Sequence, residues 1–400
     1  MNASFNPTST APRLLSLDAY RGFIMVVLAF GGFGLARTAE LHLQADADST
    51  LWKFVLHHFD HGAWAGWGFW DLIMPAFIFM VGMAMPFSLA RRVREGHTWA
   101  QLLGHVLVRT AVLILLGVFL ISHRRPDSVW TLVNTLAQIG LCYPFVFLVW
   151  GRGFTMQGFA AAASLVVTWL LFVLHGGSPS LGPGVTAEWA AEHHAGIAQA
   201  WWKCSNMAHH LDVWFLNLFP RGVPFTAQGG GYQTLNFLPS LATMIAGLMC
   251  GEWMRRRDVS DSRKLHVLLG WGTVTLIVGL AFGHSGLCPI IKPIWTPSFA
   301  LICTGCCMLM LAVFYYLVDV RGWSRWTFPF IVAGSNSIAL YLMSQLLKPW
   351  VGELWQRYLG QDVFLLAGAL WEPTFKATAI GLTFWLACYW MWRNQFFVRI

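Results

Sequence analysis

From Phe69 to Ala90 the chain is almost wholly apolar, and a run of that length constrains the fold more than any other feature of the sequence. At a rise of 1.5 Å per residue, about 20 apolar residues cross the hydrocarbon of a bilayer, so the run reads as a spanning helix. Similar runs cover residues 20–35, 103–121, 130–149, 158–174, 236–254, 265–282, 297–318, 328–347 and 375–392. They predict about ten spans. A further apolar piece, residues 363–371, is too short to cross and reads as re-entrant or interfacial. The expected fold class is therefore all-α: a polytopic membrane helix bundle, one domain over residues 1–400, with a long outer loop or cap over 175–235.

Composition agrees, because 56% hydrophobic residues against 11% charged ones, with a mean hydropathy of +0.56, are too apolar for soluble domains. Tryptophan and phenylalanine are abundant, and indoles favour the headgroup level. The net charge of +8 is carried in short loops between apolar runs, which is positive-inside topology and excludes a nucleic-acid face. With the N-terminus cytoplasmic, the inner segments hold Arg91, Arg92, Arg94, Arg152, Arg255, Arg256, Arg257 and Arg321. No cleaved signal peptide is expected, and the first residues read as a solvated tail. The eight cysteines lie mostly inside apolar runs. Cys303-Thr-Gly-Cys306-Cys307 reads as helix packing rather than a metal or redox motif. Cys204 and Cys288 fall in outer loops, where a disulfide would be chemically allowed.

Chemistry concentrates just ahead of the 69–90 run, in His57, His58, Asp60, His61, Trp64, Trp67, Trp70 and Asp71. His61 is the candidate catalytic group, because imidazole exchanges its proton near neutral pH and glycine follows it at a membrane surface. A histidine that only caps a helix would look the same. Asp71 opens the following helix, where a carboxylate suits the dipole or orients an imidazole. The paired His57 and His58 do not make a convincing metal set, and no metal is expected.

Other candidates are scattered. Asp18 and Arg21, three apart at a helix start, either pair with each other or line a cofactor mouth. Asn336 and Tyr341 lie at helical spacing in the ninth run, as interhelical packing or cavity groups. Lys292, in an outer loop, and Asp212, in the long connection, are candidate substrate contacts. Trp64, Trp67, Trp201 and Trp202 offer faces for a sugar ring or act as interfacial anchors. That connection is too rich in histidine and aromatic residues for disorder, and a helix over 187–202 is expected within it.

Taken together, Ser16-Leu-Asp18-Ala-Tyr20-Arg21-Gly22, His61-Gly-Ala-Trp64-Ala-Gly66, Asp71-Leu-Ile-Met-Pro75, Phe237-Leu-Pro239, Gly251-Glu252-Trp253, Lys292-Pro-Ile-Trp295-Thr296, Asp319-Val-Arg321-Gly-Trp323 and Asn336-Ser-Ile-Ala-Leu-Tyr341 resemble the heparan-α-glucosaminide N-acetyltransferase family and its bacterial relatives. The resemblance implies an enzyme that takes acetyl from cytosolic acetyl-CoA, its co-substrate, and delivers it to an amino-sugar or glycan amine across the membrane. The family's essential outer-loop histidine matches His61. Where members commonly carry an asparagine near the end of the preceding span, this chain has Gly31-Gly32. On this reading Asp71 supports His61, and Trp64, Trp67, Asp212 and Lys292 meet the acceptor. Asp18, Arg21, Arg91, Arg92, Asn336 and Tyr341 serve the donor. The partners implied are the glycan acceptor, membrane lipid and, as an allowed oligomer, a second copy in a homodimer. A bacterial inner membrane is the implied location. An O-acyltransferase acting on envelope polysaccharide hydroxyls and a non-enzymatic transporter stay open as alternatives.

Overall fold

A computed structural model describes residues 14–61, 64–126 and 128–398. Among them the regular structure is entirely helical, as the sequence predicts. The described residues form two compact units. A terminal unit is assembled from residues 14–61, Gly68–Ile73 and 310–398, and a central unit from residues 64–67 and Met74–Leu309.

The terminal unit begins with α1 (Leu15–Ala29). Its first N–H groups lack intrahelical acceptors, and the carboxylate of Asp319 supplies them, 3.3 Å from Leu15 N and 3.2 Å from Ser16 N. After a tight turn over Gly31–Gly34 come α2 (Leu35–Ala45) and α3 (Thr50–Phe59).

The central unit follows with α4 (Ile73–Arg94), α5 (Trp99–Ser122), α6 (Thr135–Val149) and α7 (Phe154–His175). The long connection contains two short helices, α8 (Ala187–His193) and α9 (Met207–Leu216). Then come α10 (Phe237–Met254), α11 (Asp261–His284) and α12 (Pro297–Tyr315). Where α4 and α10 cross, glycine lets the backbones meet: a Cβ on Gly82 would strike Met244 O, and one on Gly247 would strike Phe79 O. Dispersion contacts and close backbone approach are what hold helices together when lipid is the solvent.

The chain returns to the terminal unit with α13 (Phe328–Ser335), α14 (Ser337–Leu346), α15 (Lys348–Leu359) and α16 (Glu372–Arg393). Helices α1 and α13 touch through the same device, since a Cβ on Gly334 would stand 2.6 Å from Asp18 O.

Among the described residues, six helices are long and apolar enough to span a membrane, or up to eight if each of two bent pairs counts as one span. The chain is a multi-pass membrane protein by that measure, with fewer spans than the ten expected. Three differences account for this. The expected span over 130–149 is helical only from Thr135, because Asn134 caps it by accepting Ala137 N–H; its 15 residues reach about 22 Å. The first and ninth runs are each broken, by 44° after Ala29 and by 69° at Asn336. Finally, α16 has 22 residues but is not among the six, Lys376, Tyr389 and three tryptophans lowering its hydropathy.

One smaller expectation also changes. The helix expected over 187–202 stops at His193, and the chain then turns through Gly196, whose φ of +73° suits glycine. Residues 363–368 form turns. All eight cysteines are free thiols, so Cys204 and Cys288 are not joined.

Candidate active site

The loop ahead of α4 shapes its own chemistry. Residues Phe69–Leu72 make a single 3-10 turn, and Asp71 Oδ2 accepts the Gly68 N–H at 2.9 Å, capping it. Gly68 must be glycine, since a Cβ there would sit 2.5 Å from His57 O. With one oxygen fixed, the other faces His61: Asp71 Oδ1 lies 3.3 Å from His61 Nδ1. A carboxylate only accepts, so Nδ1 carries the proton and the ring's lone pair is on Nε2. The carboxylate is buried at 7% exposure while the imidazole is 56% exposed. The pair thus combines a rigid support with a ring that solvent or a ligand can reach. Trp70 flanks it, its ring centroid 6.3 Å from that of His61.

Behind Trp70 stands an unusual turn. Gly31, Gly32, Phe33 and Gly34 all have φ between 56° and 66°, the left-handed region. Three glycines adopt it without penalty, while Phe33 costs about 1–2 kcal/mol. A Cβ on Gly32 would lie 3.1 Å from the Trp70 ring and 3.3 Å from Phe59, so the bare backbone is what lets the indole seat there. At the neighbouring Gly31, Lys348 Nζ lies 3.0 Å from the place a Cβ would occupy. Burial alone pushes that ammonium below its ordinary pKa. Sequence reasoning passed over Lys348; its one signal is a basic residue directly after the ninth apolar run.

Other residues of the terminal unit fall into structural contacts. Asp18 and Arg21 pair at 3.0 Å, half-buried near the start of α1. Asn336 is fully buried at the break between α13 and α14, where Nδ2 donates to Phe396 O and Oδ1 accepts Val398 N–H, both at 3.0 Å. Its amide serves the main chain of the C-terminal segment. Tyr341 is buried on α14.

In the central unit, Trp64 is buried in a cluster with Phe172, Trp201 and Ile291, and its indole N–H donates to Trp201 O at 3.0 Å. Both Trp64 and Trp201 pack rather than present a face. Trp67 is half-exposed, and Trp202 stacks on His194 with centroids 5.0 Å apart. Asp212 is completely buried; Oδ2 accepts Thr234 N–H at 2.9 Å, and burial pushes its carboxyl up to about 6. One turn earlier on α9, burial and the neighbouring His210 push His209 down to about 4. Lys292 is buried. Arg91 and Arg92 occupy the last turn of α4, where cations complement the dipole, and Arg91 pairs with Glu95 at 3.6 Å. Among the described residues no three His, Cys, Asp or Glu side chains gather as a metal set.

Spanning helices, with an exposed imidazole propped on a buried carboxylate at the head of one of them, define a polytopic membrane protein carrying a histidine–carboxylate pair. No family model matches the chain. Two curated proteins do, both named heparan-alpha-glucosaminide N-acetyltransferase. The Mus musculus protein is 23% identical over 431 residues, covering 93% of this chain and 60% of that protein. The Homo sapiens protein is 22% identical over 427 residues, covering 92% and 59%. The chain is a distant relative of these proteins and spans about three-fifths of their length.

Proposed function

We propose that the chain is a membrane acetyltransferase that moves an acetyl group from acetyl-CoA to the amine of an amino sugar or glycan. The observation that carries the reading is the His61–Asp71 couple, a reachable base on a fixed carboxylate, in a chain similar almost end to end to two proteins named for this chemistry. The amine nitrogen attacks the thioester carbonyl carbon, negative charge gathers on the carbonyl oxygen, and the carbon–sulfur bond breaks as CoA thiolate leaves. Nε2 of His61 takes the proton that the nitrogen sheds, and Asp71 stabilises the resulting imidazolium through Nδ1–H. The same nitrogen can instead accept the acetyl first and pass it on.

Lys348 adds a cation to this site. On this reading its ammonium, seated against the Gly31 backbone, meets the developing oxyanion. Arg91 and Arg92, on the proposed cytosolic side, meet the phosphates of the donor, and Trp67 offers the acceptor a partly open ring. The N-terminus is then cytoplasmic and His61 lies on the opposite side of the membrane.

The experiment incubates purified protein with labelled acetyl-CoA and glucosamine-terminated acceptors, alongside acceptors bearing only hydroxyls. Label on the amine, lost in His61→Ala, is the expected outcome. Label only on hydroxyls would turn the reading to an O-acyltransferase. Substrate accumulation in vesicles without an acyl donor would turn it to a transporter.

A further inference from the structure

In the terminal unit, residues 365–371 read Leu-Leu-Ala-Gly-Ala-Leu-Trp, seven residues in succession without a polar side chain other than the indole, and all seven are exposed. Leu366 is the extreme, at 80%. An aliphatic run of that kind gains free energy from any layer that takes it out of water. The segment is held in shape all the same. Phe364, just ahead of it, is buried, with the Lys376 ammonium 5.8 Å from its ring centroid. Leu365 N–H donates to Asp362 O at 2.8 Å, Gly368 N–H to Leu365 O at 2.8 Å and Trp371 N–H to Gly368 O at 3.1 Å. Consecutive turns thus fix the backbone while the leucines stay exposed.

The neighbouring helix says what covers them. The 3-10 turn Ala369–Trp371 runs straight into α16, which buries Ile380, Gly381, Phe384 and Cys388 on one face. Phe375, Leu382, Leu386 and Trp390 are exposed on the opposite face, within about 80° of arc at 3.6 residues per turn. The 22 residues of α16 reach about 33 Å, enough to cross the hydrocarbon, so that exposed face meets lipid. Trp371 stands four positions ahead of Phe375, at the head of this face. Its ring also packs edge-on against His42 and Trp52, centroids 5.2 and 5.7 Å away. An indole between an apolar helix face and an imidazole suits the headgroup level. A protein partner would call for polar groups at the rim, and the run supplies none. Residues 361–368 are turns rather than helix or strand, so part of their backbone still needs water, which keeps them out of the hydrocarbon interior.

We propose that residues 365–371 are an interfacial anchor, Leu365, Leu366 and Leu370 entering the headgroup–acyl boundary of the leaflet at the N-terminal end of α16, with Trp371 at its polar edge. The anchor also sets the level of α2, because Thr38 Oγ1 and Thr374 Oγ1 are hydrogen-bonded at 2.8 Å. It is independent of the acetyl-transfer reading.

The full chain carrying Leu366→Cys, labelled with a nitrobenzoxadiazole fluorophore and reconstituted into phosphatidylcholine vesicles, tests this. Wild type, whose own thiols are buried or half-buried, gives the labelling background. Lipid brominated near the headgroup end of its chains should quench the label about two-fold, at the depth of about 5–10 Å that interfacial segments reach, and lipid brominated near the chain ends should quench it less. Aqueous iodide should quench it weakly. A second variant moves the label to Leu370→Cys and adds Leu366→Asp; quenching by the headgroup-end bromines should fall to about half of that in Leu370→Cys alone, since a carboxylate resists leaving water. Strong iodide quenching with no effect of either brominated lipid would overturn the proposal. Strongest quenching by chain-end bromines would overturn it in favour of a re-entrant segment. Shielding that vanishes when each vesicle holds one chain would overturn it in favour of a contact between copies.

Discussion

His61 and Asp71 are joined so that the carboxylate is fixed before the imidazole is: Oδ2 is committed to Gly68 N–H, and Oδ1 is thereby aimed at Nδ1, 3.3 Å away. Removing the ring and removing its support should therefore have different signatures. His61→Ala should cut acetyl transfer about 10²–10⁴-fold and leave thermal unfolding unchanged, since the ring is mostly exposed. Asp71→Ala should cut transfer and also cost about 1–3 kcal/mol of stability, because the buried Gly68 N–H loses its acceptor. Parallel measurement of initial rates and unfolding midpoints in detergent checks both; a His61→Ala protein as active as wild type would remove that residue from the mechanism.

Lys348 is the group whose role rests most directly on the backbone around it. Lys348→Met should lower kcat about 10²–10³-fold, as loss of an oxyanion donor does, with little change in KM. Added ethylammonium should restore part of the rate, and a purely structural lysine would show no such rescue. Equal kcat in wild type and variant would leave the ammonium outside the chemistry.

Asp212 should make the fold lose stability as pH rises. Its carboxyl is pushed up from 3.8 to about 6, so the folded chain holds this proton at pH values where the unfolded chain has released it. The stabilising effect of protonation is complete below pH 4 and gone above pH 6, a swing of about 3 kcal/mol for this group. Asp212→Asn keeps the acceptor for Thr234 N–H and removes the buried charge. Its unfolding midpoint should match or exceed wild type at pH 8 and lose that advantage at pH 4, and a variant equally destabilised at both would contradict the assignment. His209, pushed down to about 4, acts in the opposite sense: its contribution is lost as pH falls from 6.5.

The α4–α10 crossing tolerates no side chain at Gly82 or Gly247, where a Cβ would meet Met244 O or Phe79 O. Gly82→Val should lower stability by about 1–3 kcal/mol, through helix separation rather than altered chemistry. A control at Gly104, where nothing stands within 4 Å of the added Cβ, should leave the midpoint unchanged. Thermal unfolding of both variants side by side decides it.

The sequence by itself determined the solvent and the class of fold, because long apolar runs have few other ways to satisfy their backbone than as helices in lipid. It also marked the 57–71 stretch, since His61 and Asp71 are close enough in the chain for one turn to join them. The positions of Trp64, Asp212 and Asn336 were not legible in the same way. An indole can anchor, stack or fill a core, and only packing against Trp201 and Phe172 settled Trp64 as core. Asp212 turned out to hold Thr234, and Asn336 to hold residues 396 and 398, through contacts that no local pattern encodes. Lys348 shows the same limit. It lies more than three hundred positions from Gly31, and a left-handed turn that only glycine makes cheaply is what brings bare backbone to its amine. Local periodicity fixes which segments become helices, whereas the partners of a buried polar group are chosen by whichever distant segment packs over it.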